Sequence, residues 1–151
     1  MIALALFAAA PAVTVHGDWG TVERSGRCDA LAQSIRRPAK DRPRGLAGFA
    51  FTPARGGPWG RFESRLSRVP RDGASVVLRI GAQSFLLLRR GDLAWGRDAR
   101  QDRAILAAAR GGGLLRIDSR DRSGRRFTDS YSLNGAPTAI DAAAASCARA
   151  R

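Results

Sequence analysis

Few residues in this chain can do chemistry, and their types narrow what that chemistry is. There is one histidine, His16, and there are two cysteines, Cys28 and Cys147. Any serine or cysteine nucleophile that needs an imidazole base must use His16. That residue falls close to the start of the chain, where few contacts exist to order a side chain. Metal sites fare no better, because one histidine and two cysteines leave only scattered aspartates as ligands. The acids, 13 in all with Glu23 and Glu63 the only glutamates, could form a general acid/base pair in space, yet no spacing singles one out. The glycines at 111–113 follow a helical pattern and precede a strand, the reverse of a phosphate-binding loop, so they read as helix termination. No catalytic, metal-binding or cofactor-binding residue is therefore assigned.

Arginine is the abundant reactive group. Lys+Arg number 26 against 13 Asp+Glu, a net charge of +13, and Lys40 is the only lysine. An Arg-for-Lys and Asp-for-Glu skew with frequent Ala and Gly is what a GC-rich bacterial genome produces, so part of the excess is compositional. Two clusters stand out as candidate anion sites: Arg36, Arg37, Lys40, Arg42 and Arg44 in one polar stretch, and Arg120, Arg122, Arg125 and Arg126 about a turn. Guanidinium forks match phosphate, sulfate and carboxylate groups. The competing interpretation of each cluster is a solvated loop. Nucleic acid also suits a high positive charge, but no nucleic-acid-binding motif is present and none is expected as a partner.

The first residues, MIALALFAAAPAV, form an uncharged apolar run ending in small residues. Ala10 and Ala12 satisfy the small-x-small requirement of a signal peptidase, which predicts cleavage between Ala12 and Val13. The run is about ten residues against the roughly 20 of a spanning helix, so a transmembrane anchor is not expected. Residues 1–12 thus read as a signal peptide and 13–151 as a single domain, periplasmic or secreted. Export also governs the cysteines. Cys28 and Cys147 lie 119 residues apart with no Cys-x-x-Cys motif, and in an oxidising compartment they most simply form one disulfide joining the ends of the domain. Two separate buried thiols are the alternative.

The elements that must hold these groups are mainly strands. In SVVLRI (75–80), Val76, Leu78 and Ile80 share a face opposite Val77 and Arg79, and QSFLLLRR (83–90) follows as the second arm of a hairpin. RFESRLSRV (61–69) places Phe62 and Leu66 on one side, and LLRIDSR (114–120) pairs with RFTDSYSL (126–133) about Ser123-Gly124. Trp19 to Glu23, Leu31 to Ile35 and Gly48 to Thr52 are shorter strand candidates. About eight short antiparallel strands predict a β-sandwich or an open barrel. Two short helices interrupt the pattern. Over 98–110, Asp98 caps the first and Gln101 completes a capping box; over 138–147, Thr138 caps the second and Ile140, Ala144 and Cys147 share its inner face.

The stretch GDWGTVERSGRC (17–28) enters the first strand soon after the leader. With the hairpin SVVLRIGAQSFLLL and the ending YSLNGAPTAIDAAAASC, it resembles the invasion-associated locus B family of exported alphaproteobacterial proteins. Gly17, Asp18, Trp19 and Cys28 carry the match. Two departures are His16, where an aromatic usually stands, and a late first cysteine. The resemblance implies a compact β-sandwich outside the cytoplasm with no catalytic motif to carry over. Trp19 is expected to plug one end of the sandwich, with a ligand contact as the alternative. The expected function is non-enzymatic binding of an anionic envelope or host-surface component. The other reading is an envelope hydrolase or carbohydrate-acting enzyme that uses unrecognised carboxylates.

Overall fold

Apolar residues alternate along most segments of this chain, and each segment buries one face against a second layer. A computed structural model describes residues 12–24, 26–35 and 43–149. In chain order its strands are β1 (Ala12–His16), β2 (Trp19–Arg24), β3 (Arg27–Gln33), β4 (Leu46–Phe51), β5 (Trp59–Arg65), β6 (Val77–Ile80), β7 (Gln83–Leu86), β8 (Leu88–Arg90) and β9 (Leu93–Trp95). Helix α1 (Ala99–Ala109), strands β10 (Leu114–Arg120) and β11 (Arg126–Ser132) and helix α2 (Ala136–Ala148) complete it. The strands form two antiparallel sheets, one of 7 in the order β1-β2-β3-β4-β5-β9-β8 and one of 4 in the order β11-β10-β6-β7. This is the expected mainly β sandwich, and neither sheet closes into a barrel.

The core lies between the layers. Phe49 sits at its centre, stacked on Trp19 at 6.1 Å and edge-on to Phe62 at 5.6 Å between ring centroids. Leu78, Leu115, Ile117 and Tyr131 meet them from the smaller sheet, all fully buried. Helix α2 covers β2, β3 and β4 with an almost all-alanine face, Ala136, Ala139 and Ala143 beside Ile140. Small side chains let its backbone approach the sheet closely. That closeness brings Cys147 to Cys28, and the two form a disulfide with their Cα atoms 5.9 Å apart.

Several expectations need correction. Among the described residues, eleven strands stand where about eight were expected, for three reasons. Residues 13–16, read as a poorly ordered start, form β1 together with Ala12; the strand pairs with β2 and holds His16 half-buried opposite Trp19. Residues 83–90 are two strands, because Leu87 turns inward, donates its N–H to Val76 O at 2.9 Å and passes the chain from one sheet to the other. The run Leu86-Leu87-Leu88 hides this switch, since three identical apolar residues carry no alternation. The third, β9, is only three residues long and went unpredicted. β3 also begins four residues earlier than read, at Arg27.

Both helices are present; α1 starts where expected and α2 starts earlier. Asp98 caps α1 by accepting from Gln101 N at 2.8 Å, but the Gln101 side chain reaches back to Arg97 N, one residue beyond a capping box. Helix α2 starts at Ala136, and Gly135 rather than Thr138 is its N-cap. Gly135 has φ +89°, and a Cβ there would lie 1.9 Å from His16 O, so only glycine fits the close approach. Pro137 then suits the first turn, where its missing N–H has no helical partner to lose. Thr138 is therefore already inside the helix.

Candidate anion-binding face

Strand alternation sorts the smaller sheet into two chemistries. Leu78 and Ile80 on β6, Leu115 and Ile117 on β10, and Phe127 and Tyr131 on β11 turn inward. Asp129 on β11 joins them, and the alternate residues face outward, four of them arginines: Arg79, Arg116, Arg120 and Arg126. Pairing places them in two couples. Arg116 stands directly across from Arg79 on β6, and Arg120 directly across from Arg126 on β11. Like charges directly opposite each other across a ladder are destabilising, so the fold carries this arrangement at a cost.

Within each couple one arginine is anchored. Arg79 Nε lies 3.3 Å from Asp118 Oδ2, and Asp118 Oδ1 accepts from Thr128 Oγ1 at 2.5 Å. Arg120 donates Nη1 to Gly124 O at 3.0 Å. Among the described residues, Arg116 and Arg126 have no side-chain hydrogen bond or ion pair. Beside the couples a hollow of about 530 Å³ opens, lined by Arg71, Arg79, Arg120 and Arg126 above Phe127, with Asp118 the single acid.

The β10–β11 turn is built by one carboxylate. Asp121 accepts from Ser123 Oγ at 2.6 Å, Ser123 N at 2.9 Å and Arg125 N at 3.1 Å, and pairs with Arg68 at 3.1 Å. These donors, the Ser123 hydroxyl first, hold its pKa down to about 2. With Asp121 committed to Arg68, Arg122 and Arg125 project from the turn exposed.

The other predicted cluster fares differently. Arg36, Arg37, Lys40 and Arg42 lie outside the described residues. Arg44 is a brace: Nε donates to Ser34 O at 2.9 Å, Nη1 to Gln33 Oε1 at 3.0 Å, and Nη2 also to Ser34 O. Its cation is spent on its own loop. Of the motif Gly17-Asp18-Trp19, the indole is 1% exposed and donates to Ser132 O at 2.7 Å, while Asp18 N donates to Asn134 O at 3.0 Å. These contacts clasp the turn before α2, a plug as expected. Arg79 and Arg116 extend the site beyond the predicted turn. The alternation in each strand shows that they point outward, but their juxtaposition depends on which strands pair.

The buried acids are each held by partners of their own. Asp102 on α1 accepts from Phe62 N at 3.1 Å, and Asp129 on β11 accepts from Ser67 N at 2.9 Å and Ser67 Oγ at 2.5 Å. Burial pushes both pKa values up, and each is tied to a different backbone amide. Asp29, also buried, is held by Arg27, which reaches on to Glu63 at 2.5 Å. Among the described residues, no group of three or more His, Cys, Asp or Glu is arranged to hold a metal, and no helix is long and apolar enough to cross a membrane.

No protein-family model matches the sequence, and no curated protein matches it. A solved counterpart exists in three dimensions: the crystal structure of invasion associated protein b from Bartonella henselae, with a TM-score of 0.62 over 89% of this chain and 96% of that one. The fold is that of invasion associated protein b. The resemblance read from Gly17, Asp18, Trp19 and Cys28 is thus borne out in architecture. Identity to invasion associated protein b is 15%, so the likeness carries the arrangement of strands and helices and no site residue.

Proposed function

We propose that this protein is exported and acts outside the cytoplasm as a non-enzymatic binding protein for an anionic envelope or host-surface component. The arginine-lined face of the smaller sheet carries that reading. Four outward arginines share it with one acid, Asp118, in two like-charged couples that weaken the ladder unless an anion bridges them. The disulfide between Cys28 and Cys147 supports an oxidising compartment. Cleavage after Ala12 would leave Val13–His16 free to pair with β2.

Retention on a phosphorylated or sulfated matrix tests the binding. It is expected to fall as salt rises, since screening weakens exposed charge pairs, and to drop when Arg120, Arg122, Arg125 and Arg126 become Gln. Retention unchanged by those substitutions would return the arginines to the solvated surface. The intact mass of the protein recovered from its native host tests export: a chain starting at Val13 and two hydrogens lighter than its reduced form is expected. A full-length reduced chain would overturn that part.

A further inference from the structure

The spacing of the two arginine couples points to a ligand with two separate anionic groups. Arg116 and Arg120 are four residues apart on β10, which at strand rise separates the couples by roughly 13 Å. Neighbouring strands lie about 5 Å apart, so the two guanidinium groups of a couple can close on one phosphate. Two forks suit the several oxygens of a phosphoryl group better than the two of a carboxylate. Each couple pairs one anchored arginine, Arg79 or Arg120, with one unengaged, Arg116 or Arg126. The anchored member is held ready, and the free one can swing onto the ligand.

What lies between the couples decides the middle of the ligand. Asp118 sits there, half-exposed, its Oδ1 accepting from Thr128 and its Oδ2 paired with Arg79 Nε at 3.3 Å. A polymer charged along its whole length would set an anion against that carboxylate. A neutral span bearing hydroxyls would instead donate to Asp118 and exchange hydrogen bonds with Thr128. Resting on the reading of this face as an anion site, we propose that it takes a saccharide headgroup phosphorylated at both ends. One phosphate lies between Arg79 and Arg116, the other between Arg120 and Arg126, and sugar hydroxyls face Asp118. An extended disaccharide with terminal phosphates is about the right length.

The test uses the full chain at near-physiological salt. Phosphatidylcholine vesicles would contain diphosphoryl lipid A, monophosphoryl lipid A or phosphatidylglycerol at matched surface charge. Affinity for the diphosphoryl vesicles is expected to exceed that for the monophosphoryl ones by about tenfold or more, the scale of one charge-assisted contact pair. Arg116→Gln and Arg126→Gln should each abolish that preference. Both side chains are exposed, and an unchanged melting curve would confirm that the variants fold. The deacylated diphosphoryl disaccharide should compete; its failure to do so would overturn recognition of the headgroup. Equal binding to both lipid A forms would overturn the two-point site and leave the anion face standing, as would displacement by heparin at lower charge concentration than by the disaccharide. Absence of binding to all three anionic vesicles would overturn the anion face itself.

Discussion

Removing the disulfide offers a quantitative test of how the two ends of this fold are held. Cys28 is the second residue of β3 and Cys147 is next to last in α2, so the bond closes a loop spanning 119 positions. In the chain-entropy account, losing a loop that long destabilises a domain by about 5 kcal/mol at 25 °C. Native domains hold only about 5–15 kcal/mol in total, so the loss takes a large share. Replacing both cysteines by alanine also removes the sulfurs of two residues that are 6% and 2% exposed, which adds to the effect. Urea unfolding followed by circular dichroism reads the change. At a slope of about 2 kcal/mol per molar, the midpoint should fall by about 2.5 M or more. A fall of less than about 0.5 M would refute the assignment of a bond that restrains the unfolded chain. Thiol labelling of the protein under a mild reductant gives the companion result. Because both residues are buried, reduction should wait on α2 leaving the sheet, and at saturating reductant the labelling rate should level off at the rate at which the helix opens.

Two further substitutions probe the interior. Asp129→Asn retains an acceptor for Ser67 N while removing a charge that burial opposes. The folded carboxyl titrates above its unfolded value of 3.8, so the native state binds the proton more tightly and stability falls as pH rises through that window. The variant should therefore equal or exceed the parent at neutral pH and show a flatter melting temperature against pH from about 4 upward. Asp102 keeps a residual slope of the same sign in both proteins. A variant much less stable than the parent at neutral pH would show the charge itself to be required. Gly48→Ala tests the register of β3 and β4: its Cβ would lie 2.2 Å from Ala30 O and 2.6 Å from Leu31 Cδ2. The strands must shift to admit it, at a cost of about 2–3 kcal/mol in denaturant unfolding. Unchanged stability would contradict the pairing.

Much of the architecture was legible because alternation and turn chemistry are local. The hairpin of β6 and β7 about Gly81-Ala82 and that of β10 and β11 about Ser123-Gly124 fall where the sequence places them, and Asp98 caps α1 as expected. What escaped depends on contacts between distant segments. Leu87 is the crossing point only because Val76 O waits for its N–H, and no pattern within 83–90 announces that partner. Gly135 displaces Thr138 as a cap because the His16 carbonyl lies against it, a neighbour 119 positions earlier in the chain. The anion face divides in the same way. Arg120 to Arg126 were visible as a cluster in one short stretch, whereas Arg79 joins Arg116 only through the pairing of β6 with β10. Arg44 shows the converse error, since a basic residue in a basic loop is spent on that loop's own carbonyl.

The clasp between the first strands and the end of the chain bears on the order in which this protein can be made. Trp19 rests on Ser132, Asp18 on Asn134 and Cys28 on Cys147, so the cover over β2, β3 and β4 is synthesised well after the strands it covers. Until those residues emerge, Ala30 and Phe49 have no lid, and the contacts that would close the domain span most of its length. A nascent chain that has not yet released α2 therefore stays open, a state fit for capture by a holding chaperone. A chain stopped short of α2 would remain in that state, and quality control would find it by its uncovered sheet.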